Sequence, residues 1–213
     1  MIFVNQFTEK DIFNFRQLIF LNKYAIYDNA IIAGGCFKNI FKNEKIKDVD
    51  LYFRDESDYK RAIERAEKLK SEKIYRFVFK NKKVVSYYDK ENKVRLEFIK
   101  TLFGDPIDII SKFDFTITKF AFYLDRDFIE EESFLSQFRV VFHEDFFEHL
   151  HTSRLVIDEE LLFPFSSFER SYRYRDKGYK LCRESKIKLL QAIREADNLN
   201  ESDLSKSLYD GLD

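Results

Sequence analysis

The feature that most restricts the fold of this chain is a short apolar run that stops at two adjacent glycines and is followed by an alternating segment. Residues 30–33 are apolar and of strand length, and they end at Gly34 and Gly35, two of only five glycines in the chain. Residues 48–53, Asp-Val-Asp-Leu-Tyr-Phe, then alternate polar and apolar side chains. Because successive side chains of a strand point to opposite faces, this pattern predicts two β-strands with a glycine turn after the first.

The rest of the chain mixes helical and strand patterns, which predicts an α+β fold. Thr8 precedes an acidic turn and apolar residues at helical spacing, so we expect a helix to begin there. Strands are predicted over residues 75–79, 84–88 and 94–99, and helices over residues 57–73, 106–110, 142–150, 167–177 and 183–197. Residues 115–124 are compatible with either a strand or a helix. We therefore predict a small mixed β-sheet with helices on one side, followed by a mostly helical C-terminal part.

The length of 213 residues is typical of one domain, or of a compact core with a small appended piece. We predict a head domain over residues 1–127, because the strand patterns fall within it. Residues 128–213 are predicted to form a helical region packed on that head. The polar and acidic tail from residue 198 is expected to be disordered.

Composition excludes several classes of protein. The 37 Lys and Arg nearly balance the 38 Asp and Glu, so the chain is not a polybasic nucleic-acid coat and any basic surface is local. Cys36 and Cys182 are too few for a disulfide framework, and we expect no disulfide partner. No apolar stretch approaches the ~18 residues of a membrane span, and the first residues lack a signal-peptide pattern. We therefore expect a protein of the cytoplasm, bacterial or phage-infected, with no membrane partner.

Asp48 and Asp50 carry the clearest chemical signal in the sequence. Lying two apart on a strand, their carboxylates project together and repel each other unless a cation lies between them. Hard divalent ions, Mg²⁺ above all, prefer such oxygen ligands. The backbone of Gly34 and Gly35 can approach a triphosphate closely and donate N–H groups to it. Together these features indicate nucleotidyl transfer, whereas either one alone is equally well an ordinary surface strand or turn.

The same residues resemble the signature of the polymerase-β-type nucleotidyltransferase superfamily. Residues 34–39, Gly-Gly-Cys-Phe-Lys-Asn, with the Asp-Val-Asp-Leu of residues 48–51, are most similar to the head domain of CCA-adding enzymes and bacterial poly(A) polymerases. Residues 112–118, Lys-Phe-Asp-Phe-Thr-Ile-Thr, resemble that family's Arg-Arg-Asp-Phe-Thr-Ile-Asn motif. The resemblance covers residues 30–125 and extends to small nucleotidyltransferase-like proteins encoded by phages.

The resemblance implies a Mg²⁺-dependent enzyme of the two-metal type, which moves a nucleoside monophosphate from an NTP to a hydroxyl acceptor. An RNA 3′ end such as that of tRNA is the favoured acceptor, with a protein hydroxyl as the alternative. Many members use a third carboxylate on a neighbouring strand, for which Glu97 is the best candidate unless it is simply an exposed strand charge. The implied catalytic residues are Asp48, Asp50 and Glu97, with Asp48 and Asp50 as metal ligands. The implied nucleotide-binding residues are Gly34, Gly35, Cys36, Lys38, Asp114 and Thr116. The basic segment described below adds Arg170 and Arg173 as candidate nucleotide-binding residues.

Departures from the family pattern leave a second function open. Lys38 and Asn39 stand where the family has Arg and Asp, and the family's base-selecting Glu-Asp-x-x-Arg motif is not recognisable. A Lys keeps the charge of an Arg but loses its bidentate fork. The alternative is therefore a catalytically inactive nucleotidyltransferase fold, acting as a regulatory or phage factor that binds a host protein or a nucleotide.

Residues 166–194 form a local basic segment, with nine Lys or Arg against three acidic residues. Arg170, Arg173 and Lys177 lie on one face of the predicted helix, with Tyr174 beside them. Such a face can hold a triphosphate or an RNA backbone while the tyrosine stacks on a base. The alternative is a solvated helix whose charges only increase solubility.

Overall fold

A computed structural model describes residues 7–125, 137–157 and 161–196. The described residues divide into two compact units: those up to residue 111 and between 120 and 142 form the first, and those between 112 and 119 and from 143 onward form the second. The predicted α+β class is confirmed, because the described residues form a large mixed sheet together with helices. The units do not follow the expected boundary at residue 127, since each takes chain from both sides of it.

The first unit is built on an eight-stranded sheet. Its strands and helices in chain order are β1 (Phe7–Asp11), α1 (Asn22–Tyr27), β2 (Ile31–Ala33), α2 (Cys36–Phe41), β3 (Asp48–Phe53), α3 (Glu56–Ser71), β4 (Tyr75–Lys80), β5 (Val84–Asp89), β6 (Val94–Phe103), α4 (Pro106–Ser111), β7 (Phe120–Leu124) and β8 (Phe138–His143). Short 3-10 helices join β1 to α1. The strand order is β1-β8-β7-β2-β3-β6-β5-β4, in which β3 and β6 are parallel and β2 is antiparallel to both of its neighbours. Strands β2 and β3 therefore lie in the middle of the sheet.

The middle of this sheet is buried because β2 is apolar on both faces and β3 is apolar on one face. All three residues of β2 and Val49, Leu51 and Phe53 of β3 are fully buried. Phenylalanine fills the space beside them, and the rings of Phe37 and Phe120 lie 4.5 Å apart between centroids. Such close aromatic packing fixes α2, and with it the turn that joins β2 to α2.

The second unit is mostly helical. It contains a 3-10 helix (Thr116–Thr118), α5 (Phe146–His151), β9 (Arg154–Leu155), α6 (Pro164–Asp176), β10 (Lys180–Leu181) and α7 (Arg183–Glu195), and β9 pairs in parallel with β10. Pro164 begins α6, where its missing N–H costs no helical hydrogen bond. Gly178 follows the helix with a φ of 90°, a left-handed conformation that glycine adopts without strain.

Two sequence expectations were wrong at the level of single elements. Residues 7–11 form β1 where a helix beginning at Thr8 was predicted, and residues 138–143 form β8 where a helical region was predicted. Both segments lie at one end of the sheet, where β8 pairs with β7. Pairing along a sheet edge satisfies backbone groups and overrides local helix signals.

Three further expectations concern the C-terminal tail, the two cysteines and membrane-spanning helices. The tail from residue 198, expected to be disordered, lies outside the described residues. Both cysteines are free thiols. Among the described helices, none combines the length and the apolar character that crossing a membrane requires.

Asp28, which follows α1, gives the first unit a testable dependence on pH. Its carboxyl is buried, and desolvation raises its pKa to about 6, although Arg65 opposes the shift through a contact of 3.3 Å. Because the folded state holds the proton more tightly than the unfolded chain, this group stabilises the fold at low pH. That contribution is lost as the pH rises from 3.8 through 6.

In Asp28→Asn the side chain at position 28 cannot ionise. Between pH 4.5 and pH 7.5 we expect the free energy of unfolding of wild type to fall by about 2 kcal/mol more than that of Asp28→Asn. Urea unfolding of both proteins at these two pH values measures the difference. Asp105→Asn, at an exposed position, is the matched control, and its free energy of unfolding should change with pH as that of wild type does. A constant difference between wild type and Asp28→Asn at both pH values contradicts the assignment.

Candidate active site

The turn after β2 is a position that requires glycine. Gly34 has a φ of 96°, and its N–H donates to the carbonyl of Phe120 at 3.2 Å. A side chain at this φ would be strained, so the sequence keeps glycine where β2 turns into α2. Gly35 then precedes the first residue of α2. Ala33, the last residue of β2, pairs with Asp50, which places the glycine turn beside the start of β3.

Three predicted acidic residues lie on neighbouring strands in this part of the sheet. Asp48 pairs in register with Arg95, and Asp50 pairs with Glu97, across the parallel strands β3 and β6. Paired residues of parallel strands point to the same face, and residues two apart on one strand share a face. Asp48, Asp50 and Glu97 therefore project from one face of the sheet, and we refer to them as the carboxylate cluster.

The members of the carboxylate cluster differ in burial. Asp50 is 8% exposed, whereas the side chain of Asp48 is 40% exposed and that of Glu97 is 17% exposed. Desolvation raises the pKa of Glu97, Arg95 lowers it and the negative charge of Asp48 raises it further. The cluster thus runs from a buried carboxylate at Asp50 to an accessible one at Asp48.

Arg95 is the residue of this site that sequence reasoning missed. Its Nη2 lies 2.7 Å from Oδ1 of Asp48, and its Nε lies 2.9 Å from Oε1 of Glu97. One guanidinium therefore contacts two of the three carboxylates. The available signal was the Arg-x-Glu alternation of residues 95–97, but only the strand register shows that it faces Asp-x-Asp.

The start of β6, where Arg95 lies, is held by a buried polar network. Asp89, fully buried at the β5–β6 turn, accepts from the hydroxyl of Tyr24 at 2.7 Å and pairs with Lys23 at 2.8 Å. Burial opposes ionisation of Asp89, but bonds from Lys23, Tyr24 and the Asn92 backbone outweigh it and lower its pKa. The backbone N–H of Arg95 also donates to the carbonyl of Lys47 at 3.0 Å. These bonds fix the position from which Arg95 extends.

The donor chemistry of the carboxylate cluster fits a hard divalent ion, because it consists of carboxylate oxygens on rigid strands. In the part of the chain that the structure describes, however, no group of three His, Cys, Asp or Glu side chains is arranged to hold a metal. Two of the three carboxylates, Asp48 and Glu97, are in contact with Arg95. Asp48 and Asp50 are the residues that would hold an ion.

Cys36 and Lys38, predicted to contact a nucleotide, are both buried at the start of α2. Desolvation, with the negative charge of Asp50 as a second cause, raises the pKa of the Cys36 thiol well above its usual range. Cys36 is therefore a neutral thiol beside Asp50. The ammonium of Lys38 donates to the side chain of Asn39.

The other predicted binding residues belong to the second unit. Asp114 and Arg170 form an ion pair of 2.5 Å, with side chains only 5% and 6% exposed. The hydroxyl of Thr116 is fully buried and lies 2.8 Å from Nδ1 of His149. Desolvation lowers the pKa of His149. The pairing of Asp114 with Arg170 gives each a structural partner, and their predicted contact with a nucleotide remains a prediction.

The expected basic face of α6 is divided in the structure. Arg173 and Lys177 are exposed, whereas Arg170 and Tyr174 are buried. Tyr174 packs edge-on against Phe115 with 5.4 Å between centroids. A different surface of this unit is concave: a cavity of about 610 Å³ is lined by Phe168, Ser171, Tyr172, Arg175, Tyr179, Lys180, Leu181, Lys186, Leu189 and Leu190. Its lining combines aromatic and aliphatic side chains with three cations.

Comparisons with solved structures confirm the fold. A CCA-adding enzyme in complex with CTP superposes with a TM-score of 0.61 at 15% identity, covering 93% of this chain and 49% of the enzyme. The Thermotoga maritima CCA-adding enzyme bound to tRNA gives a TM-score of 0.59 at 16% identity, covering 88% and 46%. This chain therefore has a nucleotidyltransferase-like fold and spans about half the length of these enzymes.

Sequence comparison identifies the family. The protein "Gabija anti-defense 2" of Bacillus phage SPbetaL7 is 32% identical over 163 residues, which are 76% of this chain and 37% of that protein. The chain thus spans little more than a third of the length of this relative. The family described as "Gad2: Gabija anti-defense 2 family protein" matches residues 7–153, a region that contains the glycine turn and the whole carboxylate cluster. This chain therefore belongs to the Gabija anti-defense 2 family.

Proposed function

We propose that this protein is a Mg²⁺-dependent nucleotidyltransferase that transfers a nucleoside monophosphate from an NTP to a hydroxyl acceptor, and that it acts in the cytoplasm of an infected cell against the Gabija defence. The observation that carries the proposal is the placement of Asp48, Asp50 and Glu97 on one face of β3 and β6, beside the glycine turn. The shared fold with CCA-adding enzymes solved with CTP and with ATP supports it. The family assignment supports the anti-defence role.

The proposed roles follow from position. Asp48 and Asp50 hold Mg²⁺, which when bound lowers the pKa of an acceptor hydroxyl and neutralises the leaving pyrophosphate. Glu97, opposite Asp50, accepts a hydrogen bond from the acceptor hydroxyl and orients it. The backbone at Gly34 and Gly35 lies against the triphosphate because no Cβ blocks the approach. Lys38 adds positive charge near the phosphates.

The acceptor we favour is an RNA 3′ end, with a protein hydroxyl as the alternative. The cavity of the second unit supports RNA, since Arg175, Lys180 and Lys186 line it together with Tyr172. Cations that follow a backbone and aromatic rings that stack on bases are the usual means of holding a single strand. The guanidinium of Arg175 already lies 4.7 Å from the centre of the Tyr172 ring, which holds that ring in place.

Transfer of label tests the proposal. The protein is incubated with Mg²⁺ and each α-labelled NTP in turn, together with host RNA or host protein, and the products are separated by class. We expect label in RNA from one or two of the NTPs. Label in protein alone shows that the acceptor is a protein hydroxyl and not RNA. No transfer of label to either RNA or protein contradicts nucleotidyl transfer.

A second candidate function is that of a factor which keeps the fold without catalysis and binds a host protein or a nucleotide. The contact of Arg95 with both Asp48 and Glu97 favours it, because one guanidinium partly compensates the charge of these carboxylates without a metal ion. Thermal unfolding with each NTP and Mg²⁺ distinguishes the candidates. A ligand at 100 times its Kd stabilises the folded state by about 2.7 kcal/mol. We expect such a stabilisation with at least one NTP, and no shift with any of them favours the non-catalytic factor that binds a host protein.

A further inference from the structure

One arginine contacts two of the three carboxylates of the cluster. Arg95 contacts Asp48 at 2.7 Å from the neighbouring strand and Glu97 at 2.9 Å from two residues along its own strand. Its side chain is 38% exposed, so the guanidinium lies on the open side of the cluster, whereas Asp50 is buried. The positive charge therefore occupies the accessible end of the cluster, from which a ligand would enter.

An arginine in this place differs from a bound metal ion in two ways. Its guanidinium stays protonated at any physiological pH, so its charge is permanent. It is also tethered to β6, whose start is fixed by the bond from the Arg95 N–H to the carbonyl of Lys47. A divalent ion approaching Asp48 must replace this contact and, with the guanidinium still present, must also accept its repulsion.

A polyphosphate offers the guanidinium of Arg95 an alternative partner to Asp48 and Glu97. Planar guanidinium groups bind phosphate oxygens through two parallel N–H bonds, at least as favourably as they bind carboxylates. The glycine turn beside the cluster is where we place the phosphates of the nucleotide. A triphosphate bound there offers Arg95 a partner with more negative charge than Asp48 and Glu97 provide together.

We infer that Arg95 is a built-in cation that prevents divalent ions from binding to Asp48 and Glu97 until a nucleoside triphosphate binds its guanidinium instead. This inference rests on the proposed function and adds an order of binding to it: the metal ion binds tightly only together with the nucleotide. Arg95 is thus a positioning residue, which acts through the two carboxylates and through the phosphates.

Binding of Mn²⁺, followed by electron paramagnetic resonance, tests the inference without requiring activity. The proteins compared are wild type, Arg95→Gln and a control, Arg76→Gln, whose arginine lies on β4 against the Tyr88 ring. Each is titrated with Mn²⁺ alone and with a non-hydrolysable NTP analogue. Without the analogue we expect Arg95→Gln to bind Mn²⁺ at least tenfold more tightly than wild type and the control. With the analogue we expect wild type to gain affinity and the difference to shrink.

Equal Mn²⁺ affinity of wild type and Arg95→Gln without nucleotide overturns the inference and leaves nucleotidyl transfer intact. A tenfold gain in Arg95→Gln together with no transfer of label by wild type supports the metal-blocking role and contradicts the enzyme. Should Arg95→Gln fail to fold, Arg95→Met serves in its place, because it removes the charge and keeps an unbranched side chain. We then expect the same gain of at least tenfold over wild type without the analogue. An affinity equal to that of wild type without the analogue overturns the inference.

Discussion

Replacing Asp50 with Asn is expected to reduce nucleotidyl transfer by about a thousandfold or more. A divalent ion at such a site contributes several kcal/mol of transition-state stabilisation, and each 1.4 kcal/mol corresponds to about a tenfold change in rate. Asp50 is the buried member of the cluster, and water cannot readily replace it as a ligand. Asn has nearly the same shape, so the loss reports the missing charge. Asp48→Asn should reduce transfer in the same direction.

The measurement is single-turnover transfer of label at saturating NTP. Asp105→Asn is the matched control, because Asp105 is a 73% exposed carboxylate, whose contact with Arg54 at 3.2 Å lies outside the carboxylate cluster. We expect this control to keep wild-type transfer. Thermal unfolding without Mg²⁺ should show that Asp50→Asn is folded. Transfer that survives in both Asp48→Asn and Asp50→Asn contradicts the proposed roles.

Truncating Asp114 to Ala is expected to destabilise the second unit by about 3–5 kcal/mol. Asp114 and Arg170 form an ion pair in which both side chains are almost completely buried. Removing one partner of such a pair is strongly destabilising, because the remaining buried charge loses the carboxylate that faces it. An arginine cannot relieve the cost by losing its proton. Urea unfolding, followed by circular dichroism of the helices, measures the change.

The neighbouring pair of Arg175 and Asp176 provides the control. Both side chains are exposed, at 63% and 70%, and they lie on the same helix, α6. Asp176→Ala should change stability by about 0.5 kcal/mol or less, because exposed ion pairs contribute little. A loss below about 1 kcal/mol in Asp114→Ala would show that Arg170 finds another partner, and this would contradict the structural importance of the pair.

The central strands were predictable because their signals are local. The alternation of residues 48–53 determines which side chains face the same way, and the apolar β2 followed by glycine determines where the chain turns. Helix α3 was also predicted, from apolar residues at helical spacing over residues 57–73, and it begins at Glu56. Its N-cap is Asp55, whose carboxylate accepts from the N–H of Asp58 at 2.8 Å. These features depend on periodicity and backbone sterics, which a sequence displays directly.

The edge of the sheet was not predictable in the same way. Residues 7–11 carry an acidic turn typical of a helix start, yet they form β1, and residues 138–143 form β8. The backbone hydrogen bonds of these strands come from residues far away in the sequence, as in the pairing of β8 with β7. A local propensity of a few tenths of a kcal/mol per residue cannot compete with a complete strand pairing.

The sequence by itself determined the chemistry available to this protein: two aspartates two apart on a strand, a glycine turn before them and a glutamate on a later strand. Only the tertiary structure decided which residues meet. The parallel register of β3 and β6 places Arg95 against Asp48, and the packing of α6 within the second unit buries Arg170 against Asp114. The reason is physical. Side-chain direction follows from local backbone geometry, whereas the partner of a charge depends on strand register and burial, which are set by contacts between distant parts of the chain.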